Sequence, residues 1–156
     1  MVDSIFQPVL VLHSLLRWAV VVLLALALLS ALRGWLGRRS WSPSDDKLGR
    51  FLTMSADLQL LLGLLLYAIS PITVKARADM GAAMADAQLR YWSVEHFSLM
   101  LVAIVLIHVG RARSRRAIDA VLKHKQAAIF FGLAALALLV GVPWPFLPNG
   151  RPWLPF

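Results

Sequence analysis

Six ionisable side chains fall inside stretches that are otherwise almost wholly apolar: His13, Arg17, Asp57, Glu95, His96 and His108. An ionisable group at the centre of a bilayer costs at least about 2.5–3.5 kcal/mol on insertion scales, so each one asks for a partner or a purpose. His13 and His96 carry the most chemistry. On two different helices at one depth, they meet the first requirement of bis-imidazole ligation of a b-type haem. Arg17 follows His13 by four residues and shares its helix face. It would pair with a haem propionate or with Glu95. Met100 shares a face with His96, where it would pack on a porphyrin or in an ordinary core.

The same residues also make a cofactor-free polar network, with both imidazoles bonded to Glu95, Ser14 or carbonyls and Arg17 paired to Glu95. A His/His/Glu metal site is a third reading, weakened because residues 95 and 96 point about 100° apart around a helix. Asp57 and His108 match in depth on neighbouring segments. They form a carboxylate–imidazole pair whose role is packing or, less favoured, proton relay. His124, in a basic connection, is expected to be solvated or at the lipid surface. A second haem is not supported: His96 and His108 are twelve residues apart, about 120° around one helix. No cysteine is present, which excludes disulfides, iron–sulfur clusters and thiolate metal sites. No phosphate-binding glycine loop, H-E-x-x-H or G-x-S-x-G motif occurs. Met80 and Met84, four apart, read as a small helix resting on the membrane rather than as a soft-metal site.

The elements that must position these residues follow from composition. The 156 residues are 60% hydrophobic and 15% charged, and the mean hydropathy is +0.72. Soluble domains carry about 25% charged residues, so the chain is expected to be a single transmembrane domain. A spanning helix needs about 20 mostly apolar residues, and backbone amides in lipid must be satisfied within the segment. Four segments answer: about Val9–Leu32, Phe51–Ser70, Val94–Gly110 and Ala127–Val142. The fold class is therefore all-α, an integral membrane four-helix bundle running up-down-up-down. Ser42-Pro43-Ser44-Asp45 supplies a turn and helix caps between the first two spans. The outer loop 72–92 holds a short helix near Ala82–Ala85. The tail 143–156, rich in proline and tryptophan, is expected to lie as an extended strap over the outer face. Small residues four apart, at Ala27/Ala31, Ala128/Gly132 and Ala137/Gly141, read equally as filler and as packing seams.

The net charge of +8 is placed as a topology signal. Eleven lysines and arginines fall in the first and third connections, from Arg33 to Arg50 and from Arg111 to Lys125, against four on the other side (Lys75, Arg77, Arg90, Arg151). That asymmetry puts the eleven in the cytoplasm and both termini outside. The run Arg111–Arg116 reads as contact with anionic lipid, which removes nucleic acid as the expected partner. The first apolar run lacks a basic n-region and a small-residue cleavage site, so it is read as a span and not as a cleaved signal.

In order, His13-Ser14-Leu15-Leu16-Arg17-Trp18, Asp57-Leu58-Gln59-Leu60-Leu61-Leu62-Gly63-Leu64, Glu95-His96 and Pro143-Trp144-Pro145-Phe146 resemble a group of small four-helix bacterial membrane proteins sometimes labelled cytochrome b. The likeness covers nearly the whole chain. It implies a protein of the bacterial inner membrane and, where haem b binds, His13 and His96 as ligands. The chain departs from respiratory cytochrome b in length, in lacking two ligand pairs and in having no quinone-site motif. Two functions stay open: a small haem-binding electron-transfer protein or subunit, and a non-catalytic accessory or assembly subunit of a larger membrane complex or homo-oligomer. An enzyme acting alone is the less favoured expectation. The orientation is testable directly. A reporter active only in the cytoplasm, fused to the C-terminus, is expected to stay silent, and a strong signal would reverse the topology.

Overall fold

In the computed structural model, which describes residues 2–154, the secondary structure of the described residues is all helical, with no strand, and the helices are joined by short turns. Four stretches are long and apolar enough to cross a membrane: Ile5–Leu36, Pro43–Ile69, Ala87–Arg116 and Ala120–Gly141. Even the last, at 22 residues, rises about 33 Å, enough for the hydrocarbon core. The elements are α1 (Val2–Leu36), α2 (Pro43–Ile69), α3 (Pro71–Ala78), α4 (Met80–Ala85), α5 (Ala87–Arg90), a π-helical turn (Tyr91–Glu95), α6 (His96–Arg116) and α7 (Ala120–Gly141).

The helices begin earlier than hydropathy alone indicates, because caps rather than apolarity set their starts. Ser42 is the N-cap of α2, with Pro43 in the first turn and Asp45 closing a capping box. The Asp45 amide donates to Ser42 Oγ at 3.3 Å and the Ser42 amide donates to Asp45 Oδ2 at 2.9 Å. The Ser30 hydroxyl adds a bond from α1 to Asp45 Oδ1 at 2.6 Å. Asp119 starts α7 in the same manner, accepting from the Leu122 amide at 2.8 Å. Such caps satisfy amides that a helix start leaves free. In the loop 72–92, Asp79 and Asp86 cap α4 and α5. The Leu89 and Gln88 amides hold the exposed Asp86 carboxyl below the ordinary carboxylate range.

Polar and aromatic pairs fix how the helices run. Gln59 meets His13, and Ser30 meets Asp45, so α1 and α2 are antiparallel. His108 meets Asp57 across α6 and α2, and His96 meets Gly141 across α6 and α7. Trp18 faces Trp144, while Lys125 lies over Trp35, setting α7 antiparallel to α1. The shared core is a stripe of α1 at helical spacing (Val20, Leu24, Ala27, Ala31) against Ala127, Ala128, Phe131, Ala134 and Leu138 of α7, the 3- and 4-residue pattern of one helix face.

Small residues let these helices approach. A Cβ on Gly110 would stand 2.8 Å from Phe130 Cβ, and one on Gly141 would stand 2.6 Å from Met100 Cε. His124 departs from expectation: it is 1% exposed, packed on Trp41 at 4.8 Å. The early start of α7 carries it inward, and Gly34 on α1 leaves the space its ring occupies.

The described tail is turned rather than extended. Successive amides bond back two to three residues, from Leu147 to the Trp144 carbonyl and from Gly150 to the Leu147 carbonyl, and Arg151 closes onto the Pro143 carbonyl at 3.0 Å. It then reaches α1, where Trp153 stacks on Trp18 at 5.5 Å. Pro155 and Phe156, part of the expected strap, lie outside the described residues.

Packing at the α6–α7 contact is directly testable. Gly110→Ala is expected to destabilise by about 1–3 kcal/mol through overpacking, read as a lower thermal midpoint in detergent. Gly132→Ala, whose Cβ would meet Leu28 only at 3.8 Å, is expected to be neutral or stabilising.

Candidate functional site

A proline that lines the cavity also shapes it: Pro143 holds the preceding Val142 extended, α7 ends at Gly141, and the carbonyls of Leu139 and Gly141 are left without helical donors. The Trp144 indole donates to the Leu139 carbonyl at 2.8 Å. The Gly141 carbonyl accepts twice, from the Tyr91 hydroxyl at 3.0 Å and from His96 Nδ1 at 2.7 Å. A carbonyl only accepts, so His96 Nδ1 carries the proton and Nε2 keeps its lone pair.

His96 faces inward because of the turn before it. The π-helical segment Tyr91–Glu95 shifts the phase of the chain as it enters α6 and buries Tyr91 and Ser93. π-turns of this kind are frequent at functional sites. The same wide turn brings residues five apart together, and Arg90 Nε binds Glu95 Oε1 at 2.7 Å. Glu95 is therefore turned outward, half-exposed, and satisfied by Arg90. The expected pairing of Glu95 with Arg17 is not made.

His13, Arg17 and His96 line one cavity of about 140 Å³, with α1, α2, α6 and α7 all contributing walls. Sequence spacing brought these three together, and the structure does so too. Arg17 is only 7% exposed, on the same α1 stripe as the core. Its Nη2 donates to the Pro152 carbonyl at 3.4 Å, its Cζ lies 5.0 Å from the Trp18 ring, and its buried Nε has no partner among the described residues. Among the described residues no carboxylate bonds it. Trp92 meets His96 edge-on at 5.4 Å, and Arg151 lies over Trp92 at 5.0 Å and also lines the cavity.

Gln59 is the site residue that sequence reasoning missed. Its amide Nε2 donates to the His13 carbonyl at 3.1 Å and lies 3.2 Å from His13 Nε2. With Nε2 accepting, the His13 proton sits on Nδ1, which is buried without a partner, as is Gln59 Oε1. Gly63 makes room for this ring: a Cβ there would stand 3.2 Å from His13 Cε1. The signal was Gln59-x-x-x-Gly63, a polar and a small residue one turn apart in an apolar segment.

Asp57 and His108 do pair, His108 Nε2 to Asp57 Oδ1 at 2.7 Å, but on the outer surface and outside the cavity. Leu64 and Leu101 line the cavity while remaining exposed, so its mouth opens sideways between α2 and α6. No group of three or more His, Cys, Asp or Glu with metal-site geometry occurs among the described residues. No family model, curated protein or solved structure matches the chain, and the site is argued from its own geometry.

A buried cation with no acidic side chain bonded to it among the described residues makes a specific stability prediction. Arg17→Met is expected to raise the thermal midpoint of the ligand-free protein, since it removes a buried charge and gives up only the long 3.4 Å bond to the Pro152 carbonyl, stranding no charged partner. Glu95→Gln is expected to change stability by no more than about 1 kcal/mol, as for exposed ion pairs. Marked destabilisation by both changes would point back to a buried Arg17–Glu95 pair.

Proposed function

We propose that the protein is an integral membrane four-helix bundle that holds haem b in its histidine-lined cavity and serves in electron transfer, alone or as a subunit of a larger membrane complex. One observation carries this reading: two imidazoles, one from α1 and one from α6, share a single cavity with a buried arginine. The resemblance to proteins labelled cytochrome b adds to it. The eleven-to-four basic asymmetry supports placing both termini on the outer side of a bacterial inner membrane, with the cavity in the outer half.

The residues fit the group in their donors and charges. His96 holds its Nδ1 proton on the Gly141 carbonyl and presents Nε2, the tautomer and backing hydrogen bond of a metal-ligating histidine. His13 supplies the second imidazole once its Nε2 is released from Gln59. Arg17 offers a cation to a carboxylate such as a propionate. At roughly 10–15 Å³ per water the cavity holds about ten waters, or ~300 Å³ of liquid, at the low end of ligand clefts, and its sideways mouth leaves the ligand unconfined toward α2 and α6. When bound, haem supplies a one-electron couple whose potential follows axial ligation and burial. This chain's part is to orient both imidazoles, exclude water with Trp92 and Met100, and balance acidic substituents with Arg17.

The Gln59–His13 contact supports a second reading. With the Nδ1–H of His13 and the Arg17 guanidinium as donors, the cavity, open sideways to the apolar surround, suits a lipid-soluble single-ring carbonyl compound of the quinone class. A Soret band decides between them. Protein made with ample haem is expected to show it, His13→Ala and His96→Ala are each expected to lose it, and His108→Ala, outside the cavity, to keep it. Wild-type protein without the band, or full retention in both cavity variants, would reject haem. Saturable quenching of tryptophan fluorescence by a short-chain quinone, lost in His13→Ala, would then favour the second reading.

A further inference from the structure

Asp57 and His108 stand where hydrocarbon or a partner must cover them. Both lie inside apolar spans, yet their side chains are 52% and 45% exposed. Exposed leucines and a valine surround them: Leu58 and Leu61 on α2, Leu101 and Val105 on α6. Residues 101, 105 and 108 follow one another at helical spacing, so His108 continues an apolar stripe. By contrast, His13, Arg17 and His96 turn toward the cavity, and Glu95 lies near the end of its span beside Arg90.

The pair is incomplete by itself. The contact between His108 Nε2 and Asp57 Oδ1 leaves carboxylate Oδ2 and imidazole Nδ1 unused. An apolar surround demands that the pair be neutral overall, either as carboxylate with imidazolium or as carboxyl with imidazole. In both forms Nδ1 carries a proton. The surface therefore offers one donor and one acceptor side by side, and hydrocarbon satisfies neither.

We infer that the α2–α6 face is the interface of a homodimer, with a second copy of this chain as its occupant. A donor beside an acceptor is self-complementary under a two-fold axis, the isologous arrangement of a symmetric dimer. A copy turned by 180° about the membrane normal sets each His108 Nδ1–H toward the other's Asp57 Oδ2. The four groups then close a hydrogen-bonded ring, with Leu61 and Val105 packing around it. The axis along the membrane normal keeps both copies in the same orientation, as a shared topology signal requires. Leu64 and Leu101 of the cavity's mouth lie on the same two helices, so the second copy also covers that mouth, but the dimer is argued from the Asp57–His108 pair and not from the cavity's ligand.

The absence of cysteine makes the test clean, since one introduced cysteine reports only its own neighbours. In purified protein dilute in vesicles, Leu61→Cys is expected to cross-link on oxidation. Leu136→Cys, equally exposed but on α7, is expected to remain monomeric. Adding Asp57→Leu and His108→Leu to the Leu61→Cys protein is expected to weaken dimerisation by about tenfold, as for loss of a few interhelical hydrogen bonds, with the helical circular-dichroism signal retained. Subunit counting by stepwise photobleaching should show two steps. Equal cross-linking at the two positions, single-step bleaching, or undiminished cross-linking in the double leucine variant would overturn the dimer.

Discussion

The carbonyl of Gly141 is the point on which the ordered end of the molecule depends. In lipid a free carbonyl is costly, and this one has no helical donor because α7 ends here, with Val142 held extended before Pro143. Tyr91 and His96 take up the vacated acceptor. That single oxygen thus ends α7, ties it to α6 through two side chains, and sets the tautomer and direction of the His96 ring. Glycine at this position has a second reason. A Cβ would collide with Leu99 and Met100, so the helices come close enough for the bonds only because there is none.

The same constraint sorts the remaining polar groups by depth and neighbour. At the basic end, Ser42, Ser30 and Asp45 satisfy one another and the first amides of α2. At the other end the tail folds back, and the Pro152 and Trp153 carbonyls receive Arg17 and the Trp18 indole. Between these ends, the buried groups lacking a partner are few. His13 Nδ1, Arg17 Nε and Gln59 Oε1 belong to residues lining one cavity. Stranded polar atoms gathered around one space fit a binding site better than scattered packing defects, because unsatisfied buried groups are rare and costly. His124 Nδ1 is the exception, held in the tight inner contact between Trp41 and Gly34.

The π-helical turn shows how a local change of pitch redistributes charge. Five residues of wider winding turn Tyr91 inward and leave Glu95 beside Arg90. Arg17 is consequently left without its apparent counterion. An arginine paired to Glu95 would close the cavity's electrostatics; an arginine that meets, among the described residues, a carbonyl and an aromatic ring leaves them open to an anionic or carbonyl-bearing ligand.

Length and apolarity alone were enough to specify four spanning helices, since no shorter count satisfies the backbone in lipid and no other secondary structure does so within one segment. Cap chemistry at Ser42 and Asp45 was legible for the same reason: it is local. So was the alignment of His13 with Arg17, which requires only helical periodicity. What tertiary structure decided was direction. The inward turn of His96 depends on a carbonyl left free at the end of α7, 45 positions later, and on a change of helical pitch. The burial of His124 depends on the absence of a side chain at Gly34. The Asp57–His108 pair was legible by depth, but whether it faces the interior or the surface is set by how α2 and α6 rotate against α1 and α7. Hydropathy reports how far a residue lies along a span, whereas the direction of its side chain is fixed only when neighbouring helices pack.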